Sequence, residues 1–219
     1  MPRALFEKTG NAMYISHLDL MRVFQRAFKR ACLLLTHTQG FSPRPSVSIA
    51  LPMSVGVESH CELLDFDLDG EKIPCEEIME RLNNALVEGV RVLSVYEGNE
   101  KIRNIALLDC TVYLEYDKGI PVCAIEKLQN LFEQPSVMVE KRSKNGMTQQ
   151  DLIPLIRSMQ IRAEDENTIR LDARICCQNP ALNPMQITAA IEAYLPDCKP
   201  DFARYCRNEI YRQDESIFR

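Results

Sequence analysis

Residues 46–68 read SVSIALPMSVGVESHCELLDFDL. Ser46 to Leu51 alternates polar and apolar side chains, the period-two pattern of a strand with one covered face. Pro52 through Gly56 breaks that pattern, because proline fixes φ and removes a ladder donor. Glu62 to Leu68 reads as another strand, closed by Asp69-Gly70. Two strands thus follow one another directly, and the flanking segments decide what they belong to.

Upstream lies a helix. Ser16 is followed three residues later by Asp19, the capping-box spacing in which hydroxyl and carboxylate satisfy amides left open by the first turn. From Leu18 to Leu33, the positions Leu18, Met21, Phe24, Phe28 and Ala31 recur at three- and four-residue steps and predict one buried face. Before it, Ala4 to Lys8 reads as a strand, Thr9 to Asn11 as a turn, and Ala12 to Ile15 as a short extended piece. Downstream, Ile73 to Leu86 is an amphipathic helix with Ile78, Leu82 and Leu86 at four-residue spacing. Gly89 ends it, and Val90 to Tyr96 is a strand. The order is strand, helix, strand, strand, helix, strand.

The order then repeats. Ala106 to Tyr116 reads as strand, Val122 to Phe132 as helix, and Ser136 to Lys141 as strand. Residues 143–167 read as a polar connection with one helical turn around Leu152–Ile156. Thr168 to Cys177 is strand, Pro184 to Leu195 helix, and Phe202 to Tyr211 strand. This predicts an α+β fold of two tandem ferredoxin-like (βαββαβ) domains with antiparallel sheets. The first covers residues 1–98 and carries a basic helix and a Gly/Pro loop. The second covers 106–219 and is acidic. Glu97 to Ile105 is the linker candidate. The halves share no sequence repeat, so the duplication rests on element order.

Composition sets outer bounds. The 219 residues are 46% hydrophobic and 26% charged, as in ordinary globular proteins. No run approaches the ~18–20 apolar residues of a membrane span. Met1 to Glu7 lacks the apolar run of a secretory leader. A cytoplasmic protein without membrane association is expected. The nine cysteines include no Cys-x-x-Cys pair and read as reduced thiols serving as small core hydrophobes. No metal site and no cofactor is expected.

Charge is uneven. The net charge is −5, which argues against a chain coated in basic surface. Yet residues 1–60 hold seven Lys/Arg and three acids, +4, leaving −9 for the rest, and all three histidines lie in the basic segment. Arg22, Arg26 and Arg30 stand at i, i+4 and i+8, a basic stripe whose guanidinium forks suit phosphate oxygens, unless it is a solvated helix face. Thr36 to Pro45 is a polar loop stiffened by Pro43 and Pro45, with Gly40 as its corner. In it, Phe41 beside Arg44 suits stacking on a base while holding a phosphate, or plugs the loop onto its own domain. His17, in the first helical turn, and His37, in the loop, carry imidazoles, a side chain suited to acid–base work or phosphate binding. The plainer reading has them bonding backbone or packing. His60, beside Cys61 at a strand start, reads as structural.

Four blocks carry a family resemblance. They are Tyr14-Ile15-Ser16-His17-Leu18-Asp19-Leu20-Met21-Arg22, Gln39-Gly40-Phe41-Ser42-Pro43-Arg44-Pro45, Ala50-Leu51-Pro52-Met53-Ser54-Val55-Gly56-Val57-Glu58-Ser59, and the weaker Leu86-Val87-Glu88-Gly89-Val90. They resemble the radical-SAM-linked domain, a bacterial domain of uncharacterised function, densely over residues 3–97. The resemblance implies a domain fused behind, or encoded beside, a radical SAM protein, in a setting of RNA or ribosome biology. This chain has no radical SAM segment of its own and would be the stand-alone partner. The tandem arrangement also resembles CRISPR RNA-processing endonucleases, which cleave RNA without metal, often through a histidine. Those carry a Gly-rich loop in the second domain, whereas only Gly119 and Gly146 lie beyond Gly98 here.

The leading expectation is a non-catalytic RNA- or phosphate-ligand-binding module acting with a radical SAM partner. Its ligand-binding residues would be His17, Arg22, Arg26, Arg30, His37, Gly40, Phe41 and Arg44. One alternative is a metal-independent endoribonuclease with His17 or His37 as acid/base. Another is a protein-interaction subunit whose acidic second domain docks the radical SAM protein.

Overall fold

A computed structural model of the chain describes residues 1–143 and 146–219. The fold is mixed α/β, with four α-helices among the described residues and antiparallel strand pairing throughout the ladders described below. The chain divides into two units, Met1–Asn104 together with Arg219, and Ile105–Phe218. None of the described helices is long and apolar enough to cross a membrane.

The first unit contains β1 (Pro2–Lys8), α1 (His17–Arg30), β2 (Val47–Ile49), β3 (Val57–Phe66), α2 (Cys75–Asn83) and β4 (Val90–Glu97). Its strands lie in the order β4-β1-β3-β2. Residue alternation sends Ala4, Phe6, Leu64 and Phe66 into a core shared with Leu20, Phe24, Ala27 and Phe28 of α1 and Ile78 and Leu82 of α2. Phe6 meets Phe24 edge-on with ring centroids 4.8 Å apart, and Phe28 lies 4.9 Å from Phe66.

The core face of α1 is the predicted one except at its start. Phe24 and Phe28 are buried, and Met21 and Ala31 pack against the core. Leu18, however, is 69% exposed, and Leu20 at 3% takes its place. The helix also stops at Arg30 rather than Leu33, because Cys32 turns into the left-handed region at φ 55. Ala12 to Ile15 is not extended: Gly10–Tyr14 forms a 3₁₀ turn. Gly10, at φ 55, turns the chain there, and the buried Lys8 ammonium donates to the Met13 carbonyl at 3.1 Å and the Ile15 carbonyl at 3.0 Å. The cap of α1 is half of the expected box. The Asp19 amide donates to Ser16 Oγ at 3.2 Å, but the Asp19 carboxylate accepts the Ser16 hydroxyl and Arg22 instead of an open amide.

The second unit contains β5 (Leu107–Glu115), α3 (Ala124–Phe132), β6 (Met138–Ser143), β7 (Gly146–Asp151), β8 (Ile156–Ala163), β9 (Thr168–Cys176), α4 (Met185–Tyr194) and β10 (Phe202–Tyr211). The strand order is β10-β5-β9-β8, and β6 and β7 form a separate two-stranded ribbon. Two expectations change here. The strand predicted at Ser136–Lys141 belongs to the ribbon. The strand beside β9 is β8, from the stretch read as a polar connection. That stretch was illegible because Arg157, Ser158, Gln160, Arg162 and Ala163 are exposed, which leaves little hydrophobic alternation. Residues 144–145 of the predicted connection lie outside the described residues.

On β5 and β9 the side chains alternate between faces, although Leu107, Thr111 and Thr168 are buried as well. Leu108, Cys110, Val112, Leu114, Ile169, Leu171, Ala173 and Ile175 are buried, and the residues between them point to the other face. The cysteines divide: Cys61, Cys110 and Cys198 are buried, whereas Cys32 and Cys123 are exposed at left-handed backbone positions. Burial pushes the Cys110 thiol up to about 12. The predicted linker holds a 3₁₀ turn at Ile102–Asn104 and ends in the buried Ile105.

Candidate nucleic-acid interface

Two of the four sequence blocks meet at one joint, the 3₁₀ turn that leads into the block 14–22. The Gly56 amide donates to the Met13 carbonyl at 3.0 Å, and the Thr9 amide to the Gly89 carbonyl at 2.8 Å. The Gly10 amide donates to Glu58 Oε1 at 2.7 Å. A Cβ on Gly89 would lie 2.5 Å from the Thr9 carbonyl oxygen and 2.8 Å from Ala12 Cβ. Gly56 and Glu58 of the block 50–59 and Gly89 of the block 86–90 are thus held at this turn, just before the block 14–22 begins.

The remaining block, Gln39–Pro45, has a different character. Residues 36–46 form a narrow ribbon. The Ser46 amide donates to the Thr36 carbonyl at 2.8 Å, His37 bridges Pro45, and the Thr38 amide donates to the Arg44 carbonyl at 2.8 Å. The Arg44 amide returns a bond to Thr38 Oγ1 at 3.0 Å. The base is anchored by Asp67. Its carbonyl accepts the Thr36 amide at 3.0 Å, its carboxylate accepts the Thr36 hydroxyl at 3.1 Å, and its own amide donates to the Ser46 carbonyl at 3.0 Å. Gly40 turns the tip at φ 139, a conformation other residues adopt only under strain.

At that tip Phe41 is fully exposed, so it does not plug the loop onto the domain. His37 and Arg44 are exposed too, and the Arg44 guanidinium makes no ion pair among the described residues. A braced ribbon thus presents an aromatic ring and a free cation to solvent.

The helix stripe is less uniform than its spacing. Arg22 is held by Asp19 at 2.7 Å. Arg30 donates to the Ala85 carbonyl and so ties α1 to the segment after α2. Only Arg26 of the three stays exposed with no bond among the described residues. His17 is half-buried at the start of α1. No hydrogen bond or ion pair among the described residues joins these helix residues to the ribbon, so the eight predicted residues form two groups within the unit. His60 lies 3.1 Å from Glu7 on the surface.

A further group of polar side chains, outside the eight predicted residues, lines the second unit's outward sheet face. The register sets out three cross-strand rows. The first is Arg162, Arg170, Tyr113, Arg204; the second Gln160, Asp172, Thr111, Cys206; the third Ser158, Arg174, Asp109, Glu209. Arg204 and Arg170 lie over the Tyr113 ring, 4.6 and 5.7 Å from its centroid. Asp172 accepts from Thr111 at 2.7 Å and from Arg170 and Arg162. Asp109 accepts from Arg174 at 2.7 Å and from the Tyr211 hydroxyl at 2.8 Å. These carboxylates hold the Arg170 and Arg174 guanidinium groups above their ordinary pKa. Between the second and third rows lies a groove of about 300 Å³ lined by Asp109, Ser158, Gln160, Asp172, Arg174 and Asn208. The legible signal was the alternation of charge with core residues in Arg170-Leu171-Asp172-Ala173-Arg174.

A family model described as an uncharacterised protein conserved in bacteria (DUF2344) matches residues 2–184. No curated protein matches the chain. Among solved structures, a chain of a Cbf5-Nop10-Gar1 complex is similar over 99% of this chain and 51% of its own, with 7% identity and a TM-score of 0.52. This chain thus spans about half the length of that one, and the likeness is one of fold. An unknown protein from Galdieria sulphuraria aligns over 94% of this chain and 96% of its own at 10% identity, with a TM-score of 0.27.

Proposed function

The chain belongs to the conserved bacterial family DUF2344, and from that premise we propose that it is a non-catalytic RNA-binding module. Phe41 stacks on an unpaired base, and Arg44 and His37 hold the neighbouring phosphate. Arg26 adds a free charge from α1. One observation carries this reading: Phe41 stands in solvent at the tip of a ribbon whose two arms are bonded to each other at Thr36–Thr38 and Arg44–Ser46. Burying a phenyl ring contributes about 1.5–3 kcal/mol. A fold that leaves this one out, and stiffens the loop beneath it, has the geometry of a contact surface.

The strand orders β4-β1-β3-β2 and β10-β5-β9-β8, all antiparallel, support reading both units as ferredoxin-like, the second with an inserted ribbon. That reading does not itself give a function. The resemblance of the four blocks to the radical-SAM-linked domain supports a radical SAM protein as the working partner. Co-purification of the two from native cells tests that part.

Fluorescence anisotropy with a labelled single-stranded RNA oligonucleotide, at several salt concentrations, tests the binding. Stacking is worth about 1–3 kcal/mol per base. Phe41→Ala should therefore weaken binding roughly tenfold, and Arg44→Ala should also flatten the salt dependence by about one phosphate. Equal affinity of wild type and Phe41→Ala overturns the reading. Incubation of the RNA with the protein in EDTA should leave it intact. Cleavage that disappears in His17→Ala or His37→Ala would replace a binder with a metal-independent ribonuclease.

A further inference from the structure

An antiparallel sheet with one open face needs only polar residues on it. The outward face of β10-β5-β9-β8 carries more than that. Arg162, Arg170 and Arg204 flank Tyr113 in a single row, and the outer two are about half exposed, at 53% and 47%. Arg162 and Arg204 are three strand spacings apart, about 14 Å. The row is a line of guanidinium groups around one aromatic ring, each paired with a carboxylate: Arg162 and Arg170 with Asp172, Arg170 also with Glu164, and Arg204 with Glu115. Partly exposed pairs of this kind are worth little, so a phosphate can compete for the guanidinium groups. The groove beside it is not a second cationic site. Asp109 and Asp172 flank it, and both are already engaged by arginines and hydroxyls. The groove's unused groups are neutral: the Ser158 hydroxyl and Gln160 amide are exposed and make no hydrogen bond among the described residues.

We propose that this face takes a ribose-phosphate segment of a single RNA strand, with phosphates along the Arg162–Arg170–Arg204 row and a ribose 2′-hydroxyl in the groove at Ser158 and Gln160. The inference rests on the RNA-binding reading and adds to it the group that separates RNA from DNA. A second phosphate does not fit the groove, because two carboxylates would face it. A hydroxyl that both donates and accepts does fit, because Ser158 and Gln160 offer both functions. Guanidinium planes beside Tyr113 give the bases a stacking surface without reading their identity.

The test uses the full chain and two labelled oligonucleotides of the same base order, one single-stranded RNA and one single-stranded DNA. Wild type should bind the RNA about tenfold tighter, the scale of one or two neutral hydrogen bonds. Ser158→Ala with Gln160→Ala should bring RNA affinity down to the DNA value and leave DNA affinity unchanged. Both side chains are exposed and unbonded, so this variant keeps its fold. Arg162→Ala should weaken both oligonucleotides alike. Equal RNA and DNA affinity in wild type, or an RNA preference that survives in the double variant, overturns the proposal. In that case RNA binding that still responds to Phe41→Ala leaves the ribbon reading standing. Absence of binding to either oligonucleotide overturns both.

Discussion

Arg3 grips Asp65 with two parallel hydrogen bonds, Nε to Oδ1 at 2.5 Å and Nη2 to Oδ2 at 3.0 Å. The Arg3 side chain is 3% exposed and Asp65 18%, and Nη2 also donates to the Glu100 carbonyl at 2.9 Å. The fork locks β1 to β3 near the start of the chain. Removing one partner strands a buried charge, so Asp65→Ala should lose about 3–5 kcal/mol of unfolding free energy. Urea denaturation measures this. The double variant Arg3→Met with Asp65→Leu should lose much less, because no charge is then left alone.

Two phenylalanines of the first unit should behave oppositely. Phe24→Ala opens a cavity against Phe6 and should cost about 3–5 kcal/mol. Phe41→Ala removes a ring that nothing covers and should change stability by less than about 0.5 kcal/mol. Thermal unfolding of the two variants separates them. A large loss for Phe41→Ala would mean that the ring packs in solution.

Ser16→Ala removes the oxygen that accepts the Asp19 amide at the start of α1. The loss should be about 1 kcal/mol, read by denaturant unfolding. Arg22 should stay paired with Asp19, since that bond does not involve the hydroxyl.

Alkaline pH should unfold the protein partly through its buried thiols. Unfolded, Cys110 ionises near 9.0, and folded it stays protonated to about 12. The unfolded state therefore loses its proton first. The stability is fully present below the unfolded value and falls as pH rises through the folded one. Cys177 behaves alike, pushed by burial to about 12. Each thiol should contribute a slope of about 1.4 kcal/mol per pH unit across that window. Cys110→Ala should start from a lower stability at neutral pH but show a shallower decline, measured by unfolding at stepped pH.

The first unit was readable because its pattern and its packing coincide. Phe24, Phe28, Ile78, Leu82 and the alternating strand residues are where periodicity puts them. Leu18 misled because hydrophobicity alone does not say which face of the first turn meets the sheet. β8 was hidden for the opposite reason: it is a strand whose exposed residues are Arg157, Ser158, Gln160, Arg162 and Ala163, so no apolar rhythm marks it. The ribbon was legible as a stiff loop from its prolines. What Phe41 does there was not, since an aromatic in a loop reads equally as plug or contact. The arginine row was invisible for a geometric reason. Arg162, Arg170, Tyr113 and Arg204 are brought side by side only by strand register.

The contact between Gly89 and the Thr9–Ala12 turn has a consequence for redesign. These positions are some eighty residues apart in the chain, yet a single methyl group at 89 would sit inside the space of both Thr9 and Ala12. They form one unit of inheritance as far as substitution goes. A segment graft that replaces residues 9–15 must carry its own position 89, and a mutational library that varies either side alone will return mostly wild type. The turn leads directly into α1, so mismatched grafts should misplace Ser16 and His17 before they disturb any residue nearer to the change.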